Sequence, residues 1–162
     1  MYQWLIFLHV ASAFGFFLVH GATASVMFKL RTERDTERIL AMLDLRDLAD
    51  RWMGLPLGLL LITGIAMGFL GHWWARGWVW VSLGVLVVIG LLMSMVGRMY
   101  HMRVWEGLDP KGHPMSKGKT DKPAATPEEL AAILASGRPG LLTGIGVIGM
   151  AIILWLMMFK PF

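Results

Sequence analysis

Charged residues are absent from four long stretches of the chain, residues 1–28, 52–75, 77–97 and 139–159, and crowd into the intervals between them. Each stretch is a nearly unbroken run of apolar positions. A helix needs roughly 20 such residues to cross the hydrocarbon of a bilayer, and all four reach that length. Lipid offers no partner to backbone N–H and C=O groups, so a spanning segment is either a helix or a strand of a closed barrel. Barrel strands alternate with period two, and the continuous apolar run 57–62 does not. The pattern predicts an all-α polytopic membrane protein, a four-transmembrane-helix bundle with spans at 4–28, 53–74, 78–101 and 140–159.

The intervals carry their own signals. Ile39, Met42, Leu43, Leu45, Leu48 and Trp52 recur at mostly helical spacing, with Arg38, Asp44, Asp47 and Arg51 on the other faces. This is an amphipathic helix lying along the headgroups, or else a polar extension of the second membrane helix. Pro56 is expected in the first turns of that helix, where a missing N–H matters least. Residues 75–77 form a short connection, so spans two and three pair as an antiparallel hairpin. The interval 104–138 opens with Gly107, Pro110, Gly112, Pro114, Gly118 and Pro123 among lysines, the composition of a mobile linker, and His113 within it is given no role. Thr126-Pro127-Glu128-Glu129 reads as a capping box. A short helix should follow over 129–136, closed by Gly137, with Pro139 separating it from the last span.

Small residues recur at i,i+4 spacing as Ala11/Gly15, Gly21/Ser25, Gly54/Gly58, Gly64/Gly68 and Gly140/Gly144. Such pairs let helix backbones approach closely. Packing within the bundle is the favoured use, and a homo-oligomer face or a larger membrane complex is the alternative.

Charge sets the orientation. The intervals 29–51 and 98–138 hold all the Lys and Arg except Arg76 and Lys160. Basic loops stay in the cytoplasm, which puts the loops 29–51 and 104–138 inside and both termini outside. Trp4, Trp73, Trp74, Trp78, Trp80 and Trp155 then gather as an aromatic belt at the outer interface. The first stretch reads as a span rather than a cleaved leader, since no basic residue precedes it. The net charge of +4 is accounted for by these loops, which leaves the bilayer as partner and no call for nucleic acid. With no cysteine, disulfides, thiolate metal sites and thiol catalysis are excluded.

Candidate chemistry rests on histidine. His9, His20, His72 and His101 lie in or at the ends of the spans, with no acidic residue beside them there. Paired-carboxylate catalysis and a carboxylate-bridged di-metal site are therefore not expected. His9 and His20 share a helix face about 16 Å apart along the axis, so they would serve two stacked sites. Neutral imidazole is an axial ligand for haem iron, and glycine-lined interhelical space suits a tetrapyrrole. His72 is the expected partner of His9, and His101 that of His20. A neutral histidine bonded to a backbone carbonyl, or to Ser12, Thr23 or Ser25, is the alternative for the first two. An interfacial histidine is the alternative for the others. Met95, Met99 and Met102 share a face beside His101, with Met93 nearby, and thioethers suit Cu(I); they equally fill apolar gaps. Arg98, Tyr100 and Arg103 would hold haem propionates, or else anionic lipid headgroups.

Leu8-His9-Val10, followed by Ala13 and Gly15 in a first span, resembles small bacterial membrane proteins around the copper-resistance protein CopD and the protoporphyrinogen oxidase HemJ. It looks closest to an uncharacterised branch of predicted integral membrane proteins. The resemblance implies a bacterial plasma (inner) membrane location, and His9 matches the first-helix histidine implicated in haem binding among HemJ-like proteins. The leading expectation is a b-type haem protein for electron transfer or haem handling. A cofactor-free accessory or assembly subunit follows, and then a small-molecule or copper transporter, which lacks the broken helices and buried charges of a midplane site.

Overall fold

In a computed structural model, residues 1–108 and 124–162 are described, and among them there is helix and no strand. The linker 109–123, with His113 and most of its prolines and lysines, lies outside the described residues. The helices are α1 (Tyr2–Leu30), α2 (Thr36–Leu70), α3 (Gly77–Leu108), α4 (Pro127–Leu134) and α5 (Arg138–Phe159). Four stretches are long and apolar enough to span: α1, α2, α3 and the segment containing α5.

Most of the described basic residues lie at one end of the molecule and most of the tryptophans at the other. At the basic end, α1 stops after Lys29, and a tight turn leads to Asp35, whose carboxylate accepts the N–H of Arg38 at 3.1 Å and caps α2. Inside that turn the N–H groups of Arg34 and Asp35 hold the Glu33 carboxyl below its usual range. From Thr36 the chain runs without a break for 35 residues, about 52 Å, far longer than the hydrocarbon is thick. The amphipathic segment is thus a continuous extension of the membrane helix and not a separate surface helix. Pro56 accordingly falls in the helix interior, buried, with its ring facing Gly15 of α1.

At the tryptophan end α2 stops at Leu70, four residues earlier than its apolar run suggests. His72 takes the left-handed conformation, φ 53°, ψ 36°, and a single 3₁₀ turn, Trp73–Ala75, leads to α3. Trp74 folds back over Gly68 and Phe69, and its carbonyl accepts the Trp80 indole N–H at 2.9 Å. The chain reverses there because two indoles stack back on the helices instead of extending them.

The helices associate as two pairs, α1 with α2 and α3 with α5, with α1 meeting α5 over a short stretch. Glycine sets the closest approaches. Gly15 faces Pro56, Gly64 faces the His9 ring, Gly146 faces His20 and Met93, and Gly149 faces Ile89. The expected use of all the small-residue pairs inside the bundle is not met. A Cβ at Gly21, Gly54, Gly58, Gly140 or Gly144 would meet nothing within 4 Å among the described residues. The register of α5 on α3 is set by Gly146 and Gly149 instead.

The main apolar core lies at the basic end. Leu30, Ile39, Leu43, Tyr100, Val104, Leu130 and Leu134 bury one another there, drawn from four helices. α4 lies under this core and begins as its sequence predicts. Thr126 Oγ accepts from the Glu129 N–H at 3.3 Å, and Glu129 returns the bond to the Thr126 N–H at 2.9 Å. The helix is displaced two residues towards the N-terminus from the expected range. Gly137 therefore precedes α5 as its N-cap, and Pro139 lies in the first turn of α5 rather than between helices.

Candidate functional site

His9 projects from α1 onto α2. Its Nδ1 lies 3.0 Å from the Leu60 carbonyl oxygen and 3.0 Å from Thr63 Oγ. A carbonyl only accepts, so Nδ1 carries the proton, and in the neutral ring the lone pair resides on Nε2. Thr63 in turn donates to the Leu59 carbonyl at 2.7 Å, which frees its oxygen to accept from the ring. Gly64 makes the position habitable: a Cβ there would lie 3.1 Å from His9 Cε1. Three features of α2 thus orient one imidazole.

His20 occupies a different environment. Its ring stacks on Phe16, with planes 8° apart and centroids 5.7 Å apart. Nδ1 is buried with no hydrogen-bond partner among the described residues. A Cβ on Gly146 would lie 3.4 Å from His20 Nε2 and 3.7 Å from Met93 Sδ, so both donors face the same bare stretch of α5.

The expected histidine pairs are not formed. His72 stands exposed in the turn between α2 and α3, about 10 Å of helix beyond the turn of α2 that holds His9. It lines a surface cavity with Trp73, Trp78, Arg76 and Lys160 instead. His101 is buried at the basic end. Arg46 Nη1 donates to its Nδ1, and Asp47 Oδ1 lies 3.7 Å from its Nε2. Arg46 also pairs with Asp50 at 2.9 Å. This polar cluster ties the extension of α2 to α3, and sequence reasoning missed it. Arg46 falls on the apolar side of the extension, a signal that its charge needed a buried partner.

The remaining candidates are dispersed. Met95, Met99 and Met102 are exposed on α3 and do not converge on His101. Tyr100 is committed to the core, its hydroxyl donating to the Leu134 carbonyl at 3.3 Å. Arg98 and Arg103 are exposed on α3 at the basic end, remote from the α2 turn that holds His9. Among the described residues no group of three or more His, Asp or Glu could hold a metal ion. The geometry supports single, oriented imidazoles rather than a multidentate centre.

No curated protein and no solved structure matches this chain. One family profile does, over residues 3–161, and it covers all four spans together with the polar cap at the basic end. The chain therefore belongs to the family described as predicted integral membrane protein (DUF2269).

Proposed function

We propose that this is a b-type haem protein of a bacterial plasma membrane, with His9 as the leading axial ligand, serving electron transfer or haem handling. The observation that carries the reading is the bond from His9 Nδ1–H to the Leu60 carbonyl. Histidines that ligate metals commonly donate their other ring N–H to a backbone carbonyl or carboxylate, which fixes the tautomer and raises ligand basicity. Here that arrangement stands ready on the protein side. The residues fit in a second respect: Gly64 leaves room for the imidazole against α2, since a Cβ there would lie 3.1 Å from His9 Cε1. His20 is the second candidate, because its buried Nδ1 without a partner is a cost that a bound group would offset.

Haem would supply one-electron redox chemistry. The chain's own contribution is to hold the His9 proton at Nδ1 and to seat the ring against Gly64 of α2. The test is an oxidised and dithionite-reduced visible spectrum of the protein purified in mild detergent. A Soret band with sharp reduced α and β bands, lost in His9→Ala, is the expected result. A flat spectrum that stays flat after haem is added would refute the reading.

A second reading is favoured by a separate observation. The glycines at 21, 54, 58, 140 and 144 face open space, as on a subunit that packs against helices of a partner. An accessory role predicts a colourless protein that co-purifies with a larger complex.

A further inference from the structure

At the tryptophan end a cavity of about 460 Å³ opens between the α2–α3 turn and the tail that follows α5. Gly71, His72, Trp73, Arg76, Trp78 and Lys160 line it. Arg76 and Lys160 are cations, His72 offers ring nitrogens, and no carboxylate side chain is among the lining residues. Arg76 and Lys160 form no salt bridge among the described residues. Lys160 rests its ammonium on aromatic walls, 4.6 Å from the Trp73 ring centroid and 5.9 Å from that of Trp78.

The backbone that presents two of these side chains is strained. His72 (φ 53°) and Lys160 (φ 46°) are the non-glycine residues of positive φ among those described, and both line this one cavity. Left-handed backbone is unfavourable for a residue that carries a Cβ, which there crowds the following carbonyl oxygen. Gly71, next to His72, has an ordinary φ of −92°. The chain thus places histidine, and not its neighbouring glycine, at the position where glycine fits best. Strain of this kind gathers at ligand sites, where the side chain is needed in that place. The tail is pinned as well, since the Trp78 N–H donates to the Phe162 carbonyl at 3.4 Å and the Phe162 ring covers Gly77. That contact holds Lys160 over the cavity.

We propose that this cavity binds a phosphate group, with Arg76 as the planar fork and Lys160 and His72 as flanking donors. Guanidinium matches phosphate oxygens in pairs, while ammonium acts as a point charge. The indole walls accept the apolar portion of the ligand. An anionic phospholipid headgroup and a soluble phosphate share this chemistry. The site lies about 10 Å of helix from the turn that holds His9 and stands independently of the haem reading.

The test uses the full chain in detergent micelles and follows thermal unfolding. One arm titrates inorganic phosphate against chloride at matched ionic strength. The other compares mixed micelles containing phosphatidylglycerol with micelles containing a galactosyl diacylglycerol of the same acyl chains. A rise in Tm with phosphate and with phosphatidylglycerol identifies a site open to either source. A rise with phosphatidylglycerol alone assigns the headgroup, and a rise with phosphate alone assigns a soluble ligand. Arg76→Gln should weaken binding about ten- to a hundredfold, the loss of a charge-assisted hydrogen bond. His72→Gly and Lys160→Gly should raise the ligand-free Tm by relieving strain while weakening binding, a combination that a purely structural role would not give. These two variants keep the test alive if Arg76→Gln folds poorly. No rise in either arm beyond its control overturns the proposal, as does wild-type affinity in all three variants.

Discussion

Gly149 of α5 and Ile89 of α3 make the closest glycine contact in the membrane region. A Cβ at position 149 would lie 2.0 Å from Ile89 Cδ1 and 2.6 Å from Cγ1, but 3.8 Å from Ile89 Cβ. The clash therefore falls on the outer atoms of one side chain. Ile89 cannot easily swing aside, because a β-branched residue in a helix has one strongly preferred χ1. Overpacking of this kind costs about 1–3 kcal/mol, and exchanging glycine for alanine within a helix returns about 1 kcal/mol. Gly149→Ala alone should then destabilise by up to about 2 kcal/mol. Ile89→Ala alone removes a half-buried side chain and should cost about 1–2 kcal/mol, below the range for a fully buried one. Together they remove the clashing atoms and leave two Cβ atoms in ordinary contact, so the double variant should lie within about 1 kcal/mol of the wild type. The assay is a double-mutant cycle by SDS-titrated unfolding in mixed micelles, followed by circular dichroism. Coupling of about 2 kcal/mol in favour of the pair is expected, and additivity within about 0.5 kcal/mol would refute the α3–α5 register.

Two further outcomes follow from single contacts. Gly64→Val should displace the His9 ring, which sits 3.1 Å from the site of the new Cβ, and so reduce haem retention in a spectral titration; Gly58→Ala, which meets nothing within 4 Å, should leave it unchanged. Thr126→Ala should remove the α4 cap at a cost of about 1 kcal/mol, seen in hydrogen exchange as roughly fivefold faster exchange over residues 127–134 with the rest of the chain unaffected.

The four spans were legible because lipid imposes a single rule, no unpaired charge over a crossing length, and the charges obey it. The capping box at Thr126 was legible for a similar reason, since it depends on residues three apart. Helix ends were harder. The extension of α2 shows helical spacing whether it bends along the headgroups or runs straight on. What decides the matter is the burial of Ile39 and Leu43 against Tyr100, Val104 and Leu134, contacts from more than fifty residues away. The histidine pairs failed for the same reason. Periodicity shows which residues share a face of one helix, and His9 and His20 do share one, but it does not say that the first meets α2 and the second α5. The cavity at the tryptophan end left almost no trace in the sequence, because a left-handed lysine or histidine follows from no local preference.

The two ends of the molecule also differ in how they are held, and that bears on His9. At the basic end, water drives aliphatic side chains together and the core is ordinary. In the membrane that drive is absent, and polar side chains mostly turn back on their own helix. Thr23 donates to the His20 carbonyl, Ser82 to that of Trp78 and Thr143 to that of Pro139. At membrane depth, the hydrogen bonds from His9 to Leu60 and Thr63 are the ones among the described residues that join two spanning helices. His9 is thus a structural tie as well as the proposed ligand, and His9→Ala would remove the tie and any ligation together. His9→Gln separates them, because its side-chain amide keeps a donor for the Leu60 carbonyl but offers iron no imidazole. If His9 is a ligand, the glutamine variant should unfold at nearly the wild-type SDS fraction and yet lose the haem spectrum. A variant that keeps both its stability and its spectrum would show that the tie is all that His9 provides.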